Sequence, residues 1–394
     1  MRINDLPNDC LLMIFDQFHD LQQFPKLMKV CSRWKTLIQI RLKKVKHFDC
    51  TCLDSDFPQC FRLQVVGKCV STENMNLLEK IRLTELLPNV KTINFQSSKN
   101  PCSCSTLAHL LANANPIEGL CFYNYEYNER HKCKLMRSVN ELITPFLGEI
   151  KVLATHFDEV IRSYFKAFGH LKKLRTLGNS AVGGHVRFIH VGKFSKFMTN
   201  LKTLSVYCDH ESETKHCAEY KYKIPVLEKL QYLDIGNCLS DCWTLKFLNF
   251  CPNLQYLAIK ITVYRDPIRF DRIDKNYNVI GLEITISAWF HDEFIIQTVE
   301  KFPNCRYLCV HSNVSESVEI EVIKLLPHLS TLVFGSDSMS KDPNNIQAIK
   351  DYCQKHNRQI DYYINTKDEN LANNELHRNF HRVFYNQYSL QNFR

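Results

Sequence analysis

The sequence predicts an α/β chain in which a short helical module leads into a stack of strand-and-helix units, with parallel strands on a concave face and helices on the convex one. Three observations carry this. One apolar pattern of the form Leu-x-x-Leu-x-Leu recurs ten times, 24 to 33 residues apart, through most of the 394 residues. Proline recurs at a fixed offset ahead of it, and the first forty residues lack the pattern and carry helical periodicity instead. Units this short cannot bury their apolar side chains alone, so neighbours must stack into a solenoid. Such an array lengthens along one axis, which overrides the two or three globular domains that the length would otherwise suggest.

The helical module comes first. Pro7 suits the first turn of a helix, and Leu11, Ile14, Phe15 and Phe18 then fall at i, i+3, i+4 and i+7. A second series, Leu27, Val30, Trp34, Leu37 and Ile38, has helical spacing and begins just after Pro25, a residue that starts helices but does not sit in their middle. Two or three short helices result. So small a module has more large apolar side chains than it can bury, and such a surplus marks a partner.

The repeats follow. The clearest copies are Leu201/Leu204/Val206, Leu230/Leu233/Ile235, Leu254/Leu257/Ile259, Val279/Leu282/Ile284, Cys305/Leu308/Val310 and Leu329/Leu332/Phe334. Earlier copies are Val90/Ile93/Phe95, Ile117/Leu120/Phe122, Ile150/Leu153 and Leu174/Leu177. The return segments read as helical where Phe294, Val299 and Phe302, or Val318, Val322, Leu325 and Leu326, share one face. Pro88, Pro252, Pro303 and Pro327 each stand two residues before the next strand's first apolar residue, where a helix must already have ended. Residues 365–394 lose the repeat. There Leu376, Phe380, Val383 and Phe384 suit a helix capping the array, with a disordered tail as the competing reading.

Side chains between the buried strand positions face the concave side. Tyr232, Tyr256 and Tyr307 occupy the position before the second leucine, and Tyr207, Asp234, Lys260, Glu283 and His311 lie further along the same strands. Adjacent strands lie about 4.8 Å apart, so Tyr232 and Tyr256 are expected in one contact patch. These eight residues are the candidate substrate-binding set, although tyrosine also simply suits a strand.

Two family resemblances rest on these residues. Leu6-Pro7-x-Asp9-x-Leu11-Leu12-x-Ile14-Phe15, then Leu21, Leu27, Val30-Cys31-x-Arg33-Trp34 and Leu37, resemble an F-box, and the array resembles leucine-rich repeats. Proteins of that arrangement are substrate receptors of SCF-type cullin-RING ubiquitin ligases: the box binds the Skp adaptor, and through it a cullin, while the repeats hold a protein substrate. The resemblance implies that Leu6, Pro7, Leu11, Ile14 and Phe15, with Val30 and Trp34, lie in or directly behind the adaptor interface. Read without it, Phe15 and Trp34 have a competing role as core residues of the module; Trp34 divides evenly between the two, whereas the surplus of apolar side chains favours the interface for Leu6, Pro7, Ile14 and Phe15. The division implied is an F-box over 1–40, about ten repeats over 41–364 and a cap or tail over 365–394. The repeat family also calls for a short polar side chain or cysteine three residues after the third apolar position. Asp209, Cys238, Thr262, Ser287, Asn313 and Asp337 supply it in the last six units, whereas Ser98, Tyr125, Asp158 and Val182 make the earlier ladder ragged.

Other classes are disfavoured. The formal charge is +9, and Arg33, Lys35, Arg41, Lys43, Lys44 and Lys46 read as a solvated helix face rather than a nucleic-acid surface. No run of 18 apolar residues occurs, and Asp5, Asn8 and Asp9 interrupt any signal-like start, so the expectation is no membrane and a chain kept in the cytoplasm, the nucleus or both. The 18 cysteines mostly fill apolar positions and read as reduced thiols. Cys50-x-Cys52 with Cys60 and Cys69, and Cys102-x-Cys104 with Cys121 and Cys133, lack the paired knuckles of structural zinc. His377 and His381 lack the intervening glutamate of a metalloprotease helix. No phosphate loop, nucleophile elbow or kinase signature occurs, so no metal, cofactor or catalysis is expected. A repeat scaffold for protein or nucleic acid outside any ligase, with the N-terminal helices as a mere cap, remains the alternative.

Overall fold

The computed structural model describes residues 2–52, 69–72, 74, 77, 80, 82–97, 109–124, 148–155, 158–167, 173–178, 186–207, 224–238, 243–261, 270, 273–286, 292–311, 316–335 and 343–363. These fall into two compact units, one holding the described residues up to Thr176 and the other those from Leu177 onward.

The first unit opens with helices α1 (Asn8–Asp16), α2 (Gln23–Leu27) and α3 (Ser32–Lys43). Strands β1 (His47–Cys52), β2 (Cys69–Thr72), β3 (Thr92–Ser97), β4 (Gly119–Asn124) and β5 (Val152–Thr155) follow, all parallel, in the spatial order β2-β1-β3-β4-β5. After β1 the chain therefore crosses to the outer side and lays β2 at the edge. That edge is covered by the helical module: the Leu21 N–H donates to the Ser71 carbonyl at 2.8 Å, and the Ser71 N–H donates to the His19 carbonyl at 2.7 Å. An open row of strand N–H and C=O groups is a template for unwanted pairing, and this stitch removes part of it.

The second unit continues past β6 (Thr176–Leu177) with β7 (Val186–Arg187), β8 (Thr203–Tyr207), β9 (Tyr232–Cys238), β10 (Tyr256–Ile261), β11 (Gly281–Ile286), β12 (Tyr307–His311), β13 (Thr331–Gly335) and β14 (Asp361–Tyr363). Strands β8 to β14 pair in chain order, all parallel, and β7 pairs with β8. Helices Asp292–Val299, Glu316–Leu325 and Pro343–Lys355 return the chain between strands, as parallel pairing requires.

The apolar triplets form the core. Leu201, Leu204 and Val206 are buried, and so is every corresponding residue through to Leu329, Leu332 and Phe334. Within the first unit Val90, Ile93, Phe95, Ile117, Leu120, Ile150, Leu153 and Leu174 are buried as well. Val45, Phe48 and Cys50 form a further buried triplet around β1, an eleventh copy that the leucine pattern conceals.

Two ladders hold successive units in step. Strands β9 to β13 each begin with two N–H groups converging on one carbonyl of the repeat before, as with Gln255 and Tyr256 on Gln231, Ile280 and Gly281 on Gln255, and Arg306 and Tyr307 on Ile280. Just before the first apolar residue, an asparagine amide reaches back to the preceding unit's backbone. Asn89 donates to Lys43 O, Asn253 to Glu228 O, Asn278 to Pro252 O and Asn304 to Tyr277 O, all at 2.8 Å, and Asn115, two residues ahead of Ile117, donates to Pro88 O at 2.7 Å. In the polar ladder expected after each strand, Asp209, Thr262, Ser287, Asn313 and Asp337 lie outside the described residues, as does the expected cap over 365–394.

Candidate docking surfaces

In the helical module, Pro7 precedes α1 at φ −56°, a value its ring enforces and a helix start accepts. Pro25 is the third residue of α2, within the first turn, where a missing N–H costs no helical bond. α3 starts afresh after Cys31, whose extended backbone separates the helices and whose sulfur accepts the Trp34 N–H at 3.5 Å. The apparent second series is thus divided: Leu27 closes α2, Val30 lies in the turn, and Trp34, Leu37 and Ile38 line α3.

Leu11, Phe15, Phe24, Trp34, Leu37 and Ile38 make the module's core. Phe15 and Trp34 meet edge to face with ring centroids 5.1 Å apart, and the Trp34 indole N–H donates to Asn4 Oδ1 at 2.9 Å. Arg33 fixes the segment ahead of α1 by donating to Asn8 Oδ1 at 2.8 Å and to the carbonyls of Asn4 and Leu6 at 2.6 Å each. Of the seven residues expected at an adaptor interface, Leu11, Phe15 and Trp34 therefore stand behind the surface. Pro7 and Val30 are exposed, and Leu6 and Ile14 are half-buried. Three further apolar side chains of the module are exposed, Ile3, Met13 and Ile40, with Met13 the most open at 69% and Val30 at 54%. Met13 was legible as a large apolar residue off the stripe that Leu11, Ile14 and Phe15 define.

Arg41 corrects one expectation. The run of cations from Arg33 to Lys46 implies a solvated face for it, yet its side chain is 0% exposed. Its Nε lies 3.0 Å from Asp16 Oδ1, its Nη2 donates to the Cys69 carbonyl at 3.1 Å, and its guanidinium lies over the Phe24 ring. Burial pulls the guanidinium pKa down, with Asp16 opposing it. One side chain thus joins the end of α1, α2 and the edge strand β2.

In the second unit, β8 to β13 place residues in register columns. Thr203, Tyr232, Tyr256, Gly281, Tyr307 and Thr331 form the first column of the face opposite the leucines, and Ser205, Asp234, Ala258, Glu283, Cys309 and Val333 form the second. Tyr232 and Tyr256 stack with centroids 5.0 Å apart and rings 13° from parallel. The eight residues do not share one open surface, however. Tyr256, Asp234 and Glu283 are buried and Tyr307 is only 1% exposed; Tyr232 and His311 are half-buried; Tyr207 and Lys260 alone are exposed. Both faces of these parallel strands are covered along their first residues, and the second face opens only at the strand ends.

The covered part joins an apolar cluster of Tyr256, Tyr307, Cys309 and Val333 to a few paired polar groups. The Ser205 hydroxyl donates to Asp234 Oδ2 at 2.8 Å. His311 Nε2 lies 3.2 Å from Glu283 Oε1 and 3.3 Å from Cys309 Sγ. Burial disfavours the imidazolium, but the hydrogen bonds to Cys309 and Glu283 outweigh it and hold the His311 pKa well above its ordinary value. Burial lifts the hydroxyl of Tyr307 and the thiols of Cys50, Cys251, Cys305 and Cys309, which keeps them protonated. A thiol so held is a poor nucleophile.

Of the cysteines weighed for zinc, Cys50, Cys69 and Cys121 are buried, while Cys60, Cys102, Cys104 and Cys133 lie outside the described residues, as do His377 and His381. Among the described residues no group of three or more His, Cys, Asp or Glu is placed to hold a metal ion, and no helix is long and apolar enough to cross a membrane.

No curated protein matches this chain. The family described as F-box-like matches residues 3–44, the stretch that runs from the segment pinned by Arg33 to the end of α3. The helical module at the N-terminus is accordingly an F-box-like domain, and an extensive parallel-strand array follows it.

Proposed function

We propose that this chain is the substrate-recognition subunit of an SCF-type ubiquitin ligase, a non-catalytic receptor working in the cytoplasm or nucleus. F-box domains generally bind the Skp adaptor, and the family match covers the whole helical module. The observation that carries the reading is the accessible apolar set of Ile3, Pro7, Met13 and Val30 on a module whose interior is already filled by Leu11, Phe15, Phe24 and Trp34. Surplus apolar surface beside a complete core is what a docking partner covers. Leu6 and Ile14, half-buried, would border that contact, with Phe15 and Trp34 supporting it from behind.

The strand array is read as a leucine-rich-repeat solenoid over residues 41–364, its substrate face at the strand ends that carry Tyr207, Lys260 and His311 and its cullin contact made only through the adaptor. Its role is to raise the effective concentration of a bound protein beside the conjugating machinery.

The test is affinity capture from cell lysate with the full chain and with a Met13→Asp/Val30→Asp variant. Loss of the adaptor and cullin from the variant, with other captured proteins retained, is the expected result. Point changes are preferable to removing residues 1–40, because deletion would uncover β2 at Ser71. That same stitch supports the second reading, in which the helices only cap a scaffold. On it, the Asp variant captures every protein the natural chain does.

A further inference from the structure

The open ends of the second unit's strands carry a row that the leucine columns do not explain. Lys260 of β10, Thr285 of β11 and His311 of β12 are direct register neighbours. Neighbouring strands lie about 4.8 Å apart, so the outer two backbones are about 10 Å apart. A lysine ammonium and an imidazole can converge over the threonine hydroxyl across that span. Lys260 is exposed, Thr285 and His311 are half-buried, and among the described residues neither Lys260 nor Thr285 has a side-chain partner.

Two features of the backbone favour a site here. Ile259 pairs with Ile235 but Ile261 pairs with Cys238, so β9 carries one extra residue opposite Lys260. Such bulges break a ladder locally and re-aim the side chains beside them. Beyond His311 the next register position is Gly335, which adds no side chain to crowd that end.

The imidazole is also oriented. Glu283, buried at the foot of the row, engages Nε2, as does Cys309 Sγ. That leaves Nδ1 as the remaining donor of a protonated ring. Glu283 offsets one of the two cations, so Lys260, Glu283 and His311 together keep one positive charge.

We propose that Lys260, Thr285 and His311 form a binding site for an oxyanion, a phosphate or carboxylate group presented by a protein partner. The proposal deepens the reading of this face as the substrate side and rests on it for the identity of the partner as a protein. The chemistry is that of anion recognition: a flexible ammonium as point charge, a hydroxyl donor at the centre and a fixed N–H from a positioned ring.

The experiment follows the imidazole resonances of the isotope-labelled full chain, with His311 assigned by His311→Gln, while inorganic phosphate or acetate is added. The expected result is a saturable His311 shift with a Kd of about 1 mM or tighter, abolished in Lys260→Met and weakened in Thr285→Val. A response to phosphate alone assigns a phosphorylated partner, a response to acetate alone assigns a carboxylate-bearing one, and a response to both supports an oxyanion site open to either. No saturable shift with either anion, or a shift that survives Lys260→Met, overturns the site. Adaptor capture by Lys260→Met is expected to match the natural chain, so failure here and failure of the ligase reading are separate results.

Discussion

The guanidinium of Arg41 lies 3.0 Å from the carboxylate of Asp16 while its side chain is wholly shielded from water. Since Arg41 also donates to the Cys69 carbonyl, it joins the F-box-like helices to the edge of the strands behind them. Removing one partner of a buried ion pair strands the other, and Asp16 retains some exposure, so Arg41→Ala is expected to cost about 3 kcal/mol. Urea unfolding of the full chain measures it. A loss below about 0.5 kcal/mol, ordinary for a surface substitution, would show that Arg41 anchors nothing.

Gly119 stands between Thr92 and Val152 in the first unit's sheet. A Cβ there would meet Thr92 Cγ2 at 2.6 Å, so Gly119→Ala is expected to destabilise by about 2 kcal/mol. Thr92→Ser removes that methyl and keeps the hydroxyl that His47 uses. In a double-mutant cycle the Ser/Ala pair should recover most of the loss, and strict additivity would rule out the clash.

Asn278 donates to the Pro252 carbonyl across a unit boundary. Asn278→Ala is expected to cost about 1 kcal/mol. Asn278→Asp should cost at least as much, because a carboxylate cannot donate and faces a carbonyl oxygen. If the aspartate variant unfolds at the natural urea midpoint, the ladder does not stabilise the stack.

The His311–Glu283 contact has a definite pH signature. The folded imidazole pKa is raised above its ordinary 6.5, so the stability it contributes is full below that value and fades as pH rises through the folded pKa. The stability difference between the natural chain and His311→Gln should therefore be larger at about pH 6 than at about pH 9. Chemical denaturation at both values decides it, and a difference that grows toward alkaline pH would contradict the pairing.

Much of the architecture was legible because burial imposes a pattern. Leu254, Leu257 and Ile259 recur as they do because one strand face and the chain just before it must all be apolar. The β1 triplet escaped because Val45, Phe48 and Cys50 contain no leucine and stand 45 residues ahead of Val90. The docking of the helical module on β2 left no sequence trace at all, since His19, Leu21 and Ser71 meet through backbone groups that every residue carries. The asparagine ladder lies in plain sequence in Pro252-Asn253-Leu254 and Pro303-Asn304-Cys305, but an asparagine beside a proline reads first as an ordinary turn residue. At the strand face, the stacking of Tyr232 on Tyr256 follows from strand spacing alone. The burial of Tyr307 does not, although the unbroken apolar run Tyr307-Leu308-Cys309-Val310 is what a strand covered on both faces carries. Arg41 misled because charge implies exposure unless a partner is known, and Asp16 is brought to it only by the fold.

Under the proposed function Met13 and Val30 belong to the surface that meets the Skp adaptor, and titration calorimetry of the purified adaptor into the full chain measures that contact. Binding should be saturable and weaken at least about 30-fold, equivalent to about 2 kcal/mol, in Met13→Asp/Val30→Asp with unchanged thermal unfolding. Undiminished binding by that variant, or no binding by the natural chain, would contradict that reading.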